Sequence, residues 1–192
     1  VIEEACRQMR AWMDDGLRMR VAVNLSMHQL RQDDLVPRIR SAMARYRIEP
    51  ELLTFELTES VAMEDITMEA FNALAGVGVS LSIDDFGTGY SSLAYLRKFP
   101  FDTLKIDRAF VTELLSRPDA RAIVRTIIDL ARTLGMDTVA EGVEEPAQLA
   151  VLERAGCHVI QGYLIAKPVP IDEFNELLEN WIPGNTPQVS AV

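Results

Sequence analysis

One unit of pattern recurs along the 192-residue chain: an amphipathic helix, a stop signal, then a short β-branched run ending in a polar side chain. Ile2, Cys6, Met9 and Trp12-Met13 recur at helical spacing before Gly16, and Val21-Ala22-Val23-Asn24-Leu25-Ser26 follows as a strand-like run. A helix with Leu35, Ile39, Met43 and Tyr46 leads to a strand at residues 52–57. The next helix carries Ile66, Phe71 and Leu74, stops at Gly76, and leads to a strand at residues 79–83. A short helix near residues 91–98 precedes a strand at 103–106. Pro118-Asp119 opens the clearest helix, which carries Ile123, Ile127-Ile128, Ala131 and Leu134 and stops at Gly135 before a strand at 137–140. Pro146 opens another helix, residues 159–164 form the last strand, and a closing helix carries Phe174, Leu177-Leu178 and Trp181. Residues 1–182 therefore read as one domain. Residues 183–192, with their Pro, Gly, Asn and Ser, read as a flexible tail.

Six strands alternating with helices predict an α/β fold with a parallel sheet. Two sheet types compete, an open doubly wound sheet and a (β/α)8 barrel. Each run ends on its C-terminal side in a polar or charged residue: Asn24, Glu56, Asp84-Asp85, Lys105, Glu141 and Gln161. An open sheet gathers ligand groups at one switch point, whereas a barrel builds its site from the carboxyl ends of all its strands. No Gly-x-Gly-x-x-Gly follows a strand. The pattern favours a TIM-like (β/α)8 barrel. Six strands do not close an eight-stranded barrel, and the chain begins at Val1 inside a helical pattern. The expectation is an N-terminally incomplete barrel whose first two strands lie outside this chain, with weak activity and a tendency to aggregate through unpaired edges.

Composition narrows the function. A net charge of -10 argues against a duplex nucleic-acid partner and suits a site that gathers cations. No apolar run approaches the roughly 18 residues of a membrane span. Two cysteines without metal-ligand spacing fit a reducing, cytoplasmic setting. Asn24, Glu56, Asp84, Asp85 and Glu141 would supply one amide and four carboxylates at one mouth. Such hard oxygen donors suit Mg2+ or Mn2+, and the adjacent Asp84-Asp85 pair suits two ions. The competing explanation, acidic residues that merely cap the following helices, weakens when five donors fall at successive strand ends. Gly87 and Gly89 allow the loop after Asp85 to turn tightly beside a ligand. Lys105 could orient a water or hold a phosphate.

These residues carry a resemblance. Val23-Asn24-Leu25-Ser26, Glu56-Leu57-Thr58-Glu59, Asp84-Asp85-Phe86-Gly87-Thr88-Gly89, Leu104-Lys105-Ile106-Asp107, Ala140-Glu141-Gly142-Val143-Glu144 and Gln161-Gly162-Tyr163 occur in that order. Together they resemble the EAL domain, the family of cyclic di-GMP phosphodiesterases. The resemblance implies a TIM-like barrel that hydrolyses cyclic di-GMP to the linear dinucleotide with two Mg2+ or Mn2+ ions. It implies that Asn24, Glu56, Asp84, Asp85 and Glu141 are metal ligands, and that Lys105, with Glu141, serves catalysis at the attacking water. Gln161 would line the site, and Glu59, Gly87, Gly89 and Asp107 would bind substrate or position the loop. A homodimer and an upstream sensory or cyclase-like domain are further implications. The family takes its name from a Glu-Ala-Leu stretch whose Glu is another ligand, and none occurs in these 192 residues. A receptor that binds cyclic di-GMP without turnover is therefore the alternative, and a barrel metalloenzyme of unrelated substrate the third.

Overall fold

The strand-like runs pair side by side in one six-stranded sheet whose spatial order is the order of the sequence. The computed structural model describes residues 1–62, 68–89 and 96–179. Its strands are β1 (Val21–Asn24), β2 (Leu53–Thr58), β3 (Ser80–Phe86), β4 (Thr103–Ile106), β5 (Asp137–Ala140) and β6 (Val159–Ile160). Every neighbouring pair is parallel. Parallel neighbours require crossovers, and among the described residues helices supply four of the five. The helices among the described residues are α1 (Ile2–Asp14), α2 (Met27–Leu30), α3 (Leu35–Tyr46), α4 (Glu59–Ala62), α5 (Met68–Ala75), α6 (Arg108–Thr112), α7 (Pro118–Leu134), α8 (Pro146–Ala155) and α9 (Ile171–Glu179). The sheet curls into part of a barrel, so the expected α/β fold and TIM-like architecture hold.

Local signals place the helices. Ser26 accepts from the Gln29 N–H while the Gln29 side chain accepts from the Ser26 N–H, a reciprocal cap that turns the chain from β1 into α2. In α7, Pro118 occupies the first position, Gly135 closes the helix in left-handed conformation, and Ala120, Val124, Ile127, Ile128 and Ala131 bury one face.

The two faces of the sheet differ in chemistry. Leu53, Phe55, Leu57, Leu81, Ile83, Leu104, Ile106, Ala140 and Ile160 are buried against the helices. Residues between them, Ala22, Thr54, Ser80 and Thr103, are small or polar and only half-buried. Each fully buried Leu, Ile or Phe side chain on the apolar face contributes roughly 1.5–3 kcal/mol, so that face fixes the register. The opposite face is left free to carry chemistry.

Four strands differ in their limits from the sequence expectation, β2 by a shift of one residue to Leu53–Thr58. β1 ends at Asn24 because Ser26 is taken as a helix cap. β3 continues to Phe86, three residues past the expected end, so Asp84 and Asp85 lie within the strand. β6 is only Val159–Ile160, not residues 159–164. Beyond it the backbone turns across the segment after β5: the Val143 N–H donates to the Gln161 carbonyl at 3.0 Å, and the Leu164 N–H to the Val143 carbonyl at 2.9 Å. A Cβ at Gly162 would lie inside contact distance of Val143 N and O. The expected 91–98 helix lies mostly outside the described residues, as do Ile66, Trp181 and the 183–192 tail. Among the described residues no helix is long and apolar enough to cross a membrane.

The seam at Gly162 is testable. Gly162→Ala must displace backbone rather than a side chain, and should lower stability by about 2 kcal/mol or more. The reading is a reduced urea midpoint with unchanged slope, and an unaltered midpoint would contradict the packing described.

Candidate metal centre and active site

Adjacent residues of a regular strand point to opposite faces of the sheet. β3 escapes that rule. Ile83 pairs with Leu104 and Phe86 pairs with Ile106, so Asp84 and Asp85 together stand opposite Lys105. This two-against-one arrangement is a β-bulge. Asp85 takes a left-handed φ of 55°, a conformation its short polar side chain tolerates better than most. Its N–H donates to Asp84 Oδ1 at 3.0 Å, and its carbonyl accepts from Thr88 Oγ1 at 2.9 Å. Phe86 returns to the apolar face and is buried. Asp84, Asp85 and Glu141 then each present a carboxylate oxygen within 4.8 Å of the others.

Lys105 sits among the carboxylates. Its Nζ lies 2.6 Å from Glu141 Oε1, 2.9 Å from Glu56 Oε2 and 3.2 Å from Asp84 Oδ1. The side chain is only 4% exposed, so solvent screens these contacts little. Burial works against the ammonium, but Glu56 and Glu141 outweigh it and hold its pKa well above the usual lysine value. Burial pushes Glu56 and Glu141 upward, and Lys105 offsets part of that rise. Asp85 is also raised, by burial and then by its neighbours Asp84 and Asp107.

Four carboxylates thus face one ammonium. Asn24 stands in register with Glu56 at the sheet edge and is exposed. The donor set is all oxygen, negatively charged beyond what Lys105 neutralises, and clustered. Those properties fit a hard divalent cation such as Mg2+ or Mn2+. Asp84, Asp85 and Glu141 are brought within common reach of one ion, while Glu56 reaches the cluster through Lys105.

The remaining candidates frame this centre. Glu59, at the start of α4, is buried, and its Oε2 accepts from the Gly87 N–H at 2.9 Å and more weakly from the Gly89 N–H at 3.4 Å. Gly87 has φ 97°, and a Cβ there would meet the Phe110 ring at 2.9 Å, so glycine is required on both counts. Asp107 caps α6 by accepting from the Ala109 N–H at 2.8 Å. Gln161 follows β6, its N–H bonded to the Ala140 carbonyl at 2.8 Å, and its Oε1 is buried with no hydrogen-bond partner among the described residues. Sequence reasoning passes over Ser82. It lies two residues before Asp84, in register with Glu56, 1% exposed, and its Oγ has no hydrogen-bond partner among the described residues. The period-two spacing from Asp84 is the signal that could have found it.

The EAL-domain family profile matches residues 1–168. The chain is 48% identical over 176 residues to the bifunctional diguanylate cyclase/cyclic di-GMP phosphodiesterase MucR of Pseudomonas aeruginosa, covering 90% of this chain and 26% of that protein. It is 42% identical over 181 residues to the cyclic di-GMP phosphodiesterase NbdA of the same organism, covering 93% and 23%. The chain therefore spans about a quarter of the length of these curated relatives. Among solved structures, the PaMucR phosphodiesterase in complex with c-di-GMP superposes with a TM-score of 0.86 at 47% identity, covering 90% of this chain and 71% of that one. The EAL domain of Mycobacterium smegmatis DcpA superposes with a TM-score of 0.87 at 40% identity, covering 93% and 82%.

Two outcomes follow from the local geometry. Glu59→Gln should weaken charge-assisted hydrogen bonds of about 1.5–3 kcal/mol and speed hydrogen exchange at the Gly87 amide; unchanged exchange would contradict the loop-holding contact. The elevated pKa of Glu141 has a defined sign. Its protonation favours the folded state fully below the ordinary value of 4.5, and that contribution is lost as pH rises through the folded value. In EDTA, the melting temperature of Glu141→Gln relative to the unsubstituted protein should rise as pH climbs above 4.5. A falling difference would reverse the assignment.

Proposed function

The chain belongs to the EAL-domain family, and from that premise we propose that it hydrolyses cyclic di-GMP to the linear dinucleotide pGpG with two divalent cations. The observation that carries the proposal is the bulge in β3, which turns Asp84 and Asp85 to the same mouth as Glu141. The relatives named as cyclic di-GMP phosphodiesterases and the c-di-GMP complex supply the substrate class.

Asp84, Asp85, Glu141, Glu56 and Asn24 would hold Mg2+ or Mn2+. Bound there, the ions would supply Lewis-acid stabilisation of the phosphodiester oxygens and lower the pKa of water. The chain's own groups do the rest. Lys105, kept protonated, is a buried cation beside the phosphodiester, where it orients the attacking water and stabilises developing negative charge. Glu56 and Glu141 keep that ammonium at the centre. Gln161 offers its buried Oε1 as an acceptor to the ligand. Glu59 keeps the Gly87–Gly89 loop in its working shape, a route by which a homodimer contact could reach the centre. Four carboxylates against one lysine leave three negative charges, which a dianionic ligand cannot approach until cations reverse them. A cytoplasmic location and an upstream cyclase-like or sensory domain belong to the same proposal.

The test is chromatography of cyclic di-GMP incubated with the intact protein as it occurs in its source, with Mg2+ or Mn2+. Linear dinucleotide should form, vanish with EDTA, and fall by at least about a thousandfold in Asp84→Ala, the scale of losing a principal transition-state contact. Full activity of Asp84→Ala would remove the metal assignment. Ligand binding without turnover would move the protein to the receptor class.

A further inference from the structure

Lys105 and the divalent-cation cluster draw on the same side chains. Of the three carboxylates that Lys105 touches, Asp84 and Glu141 also belong to the group within common reach of one ion. Asp84 Oδ1 lies 3.2 Å from Lys105 Nζ as an ion pair and accepts from the Asp85 N–H at 3.0 Å. Glu141 Oε1 makes the shortest of the lysine contacts, at 2.6 Å. Lone pairs given to the ammonium are withdrawn from a cation, and the buried positive charge repels a second one across a poorly screened gap. Glu56 differs: it contacts Lys105 yet stands outside the three-carboxylate group.

From this sharing, and resting on the metal-dependent reading above, we infer that Lys105 is a resident counter-ion that sets the cation affinity of the centre. The ammonium holds Asp84 and Glu141 together while lowering their attraction for a divalent ion. Glu56, outside the group within common reach of one ion, remains a partner for the ammonium when an ion binds that group. The lysine stem, with its four rotatable methylenes, allows the ammonium to shift its bonding between these partners without backbone movement. The centre is thereby tuned to fill only when the divalent cation is abundant, and Lys105 acts on occupancy as well as on the attacking water. A lysine that merely assembled the donors would have the opposite effect, since removing it would scatter them.

Isothermal titration of Mn2+ into the intact protein and into Lys105→Met distinguishes these roles without an activity measurement. The variant should bind Mn2+ at least about tenfold more tightly. Equal or weaker binding would overturn the inference. Because Lys105→Met could fail to fold, the unsubstituted protein is also followed by 15N NMR of its lysine ammonium groups during a Mg2+ titration. The Lys105 signal should shift and exchange faster with water as Mg2+ binds; a signal constant through saturation overturns the inference. Uptake of no Mn2+ by the unsubstituted protein would remove the metal-dependent reading itself. Uptake with no gain in the variant would remove only the role of Lys105.

Discussion

A surplus of negative charge at the carboxyl ends of the strands is the constraint around which the molecule is arranged. Glu56, Asp84, Asp85 and Glu141 converge where one ammonium, Lys105, is the nearest counter-charge. Such a cluster is unfavourable in low dielectric, and its assembly has to be imposed by something stronger. The opposite face of the sheet imposes it. Leu53, Phe55, Leu57, Leu81, Ile83, Leu104 and Ile106 fix the strands by their burial, and a slip of one residue would expose them all. The apolar register thus holds the acidic groups in a proximity they would not choose.

The bulge in β3 shows how far a local irregularity can redirect this arrangement. Without the extra residue, either Asp84 or Asp85 would point among the helices, where an ionised carboxylate has no partner. With it, both reach the mouth and Phe86 still returns to the core. The left-handed φ of Asp85 is stabilised from several sides, by the Asp84 carboxylate, by Thr88, and by Glu59 gripping the next turn at Gly87. Strain at the centre is distributed over contacts from three neighbouring residues.

Much of this was legible in the residues. The limits of β4 and β5 follow from their apolar runs, and the helix of Pro118 to Leu134 from its proline, its 3.6-residue period and Gly135. Polar residues at successive strand ends pointed to the barrel. The short β6 was not legible, because it depends on how closely the Val143 backbone approaches Gly162, a contact between distant segments. The bulge was equally hidden: the Asp84-Asp85 pair is plain in the sequence, but which way each points depends on pairing with β4. Asking only which residues could bind a ligand, and not what lines the sheet beneath them, also left Ser82 unnoticed.

The consecutive, all-parallel order of the strands bears on how the molecule comes to exist. Asp84, Lys105 and Glu141 lie on or directly after three neighbouring strands, and the segment that contains them, residues 80–141, includes two complete crossovers. No hairpin or isolated helix can bring them together, and loop-closure entropy makes such pairings slow to form. During synthesis the acidic groups therefore remain dispersed and solvated until the middle of the sheet has closed. Completion of the centre waits on the pairing of β3, β4 and β5, and any ligand that prefers the gathered carboxylates will draw the folding equilibrium toward the paired sheet by mass action.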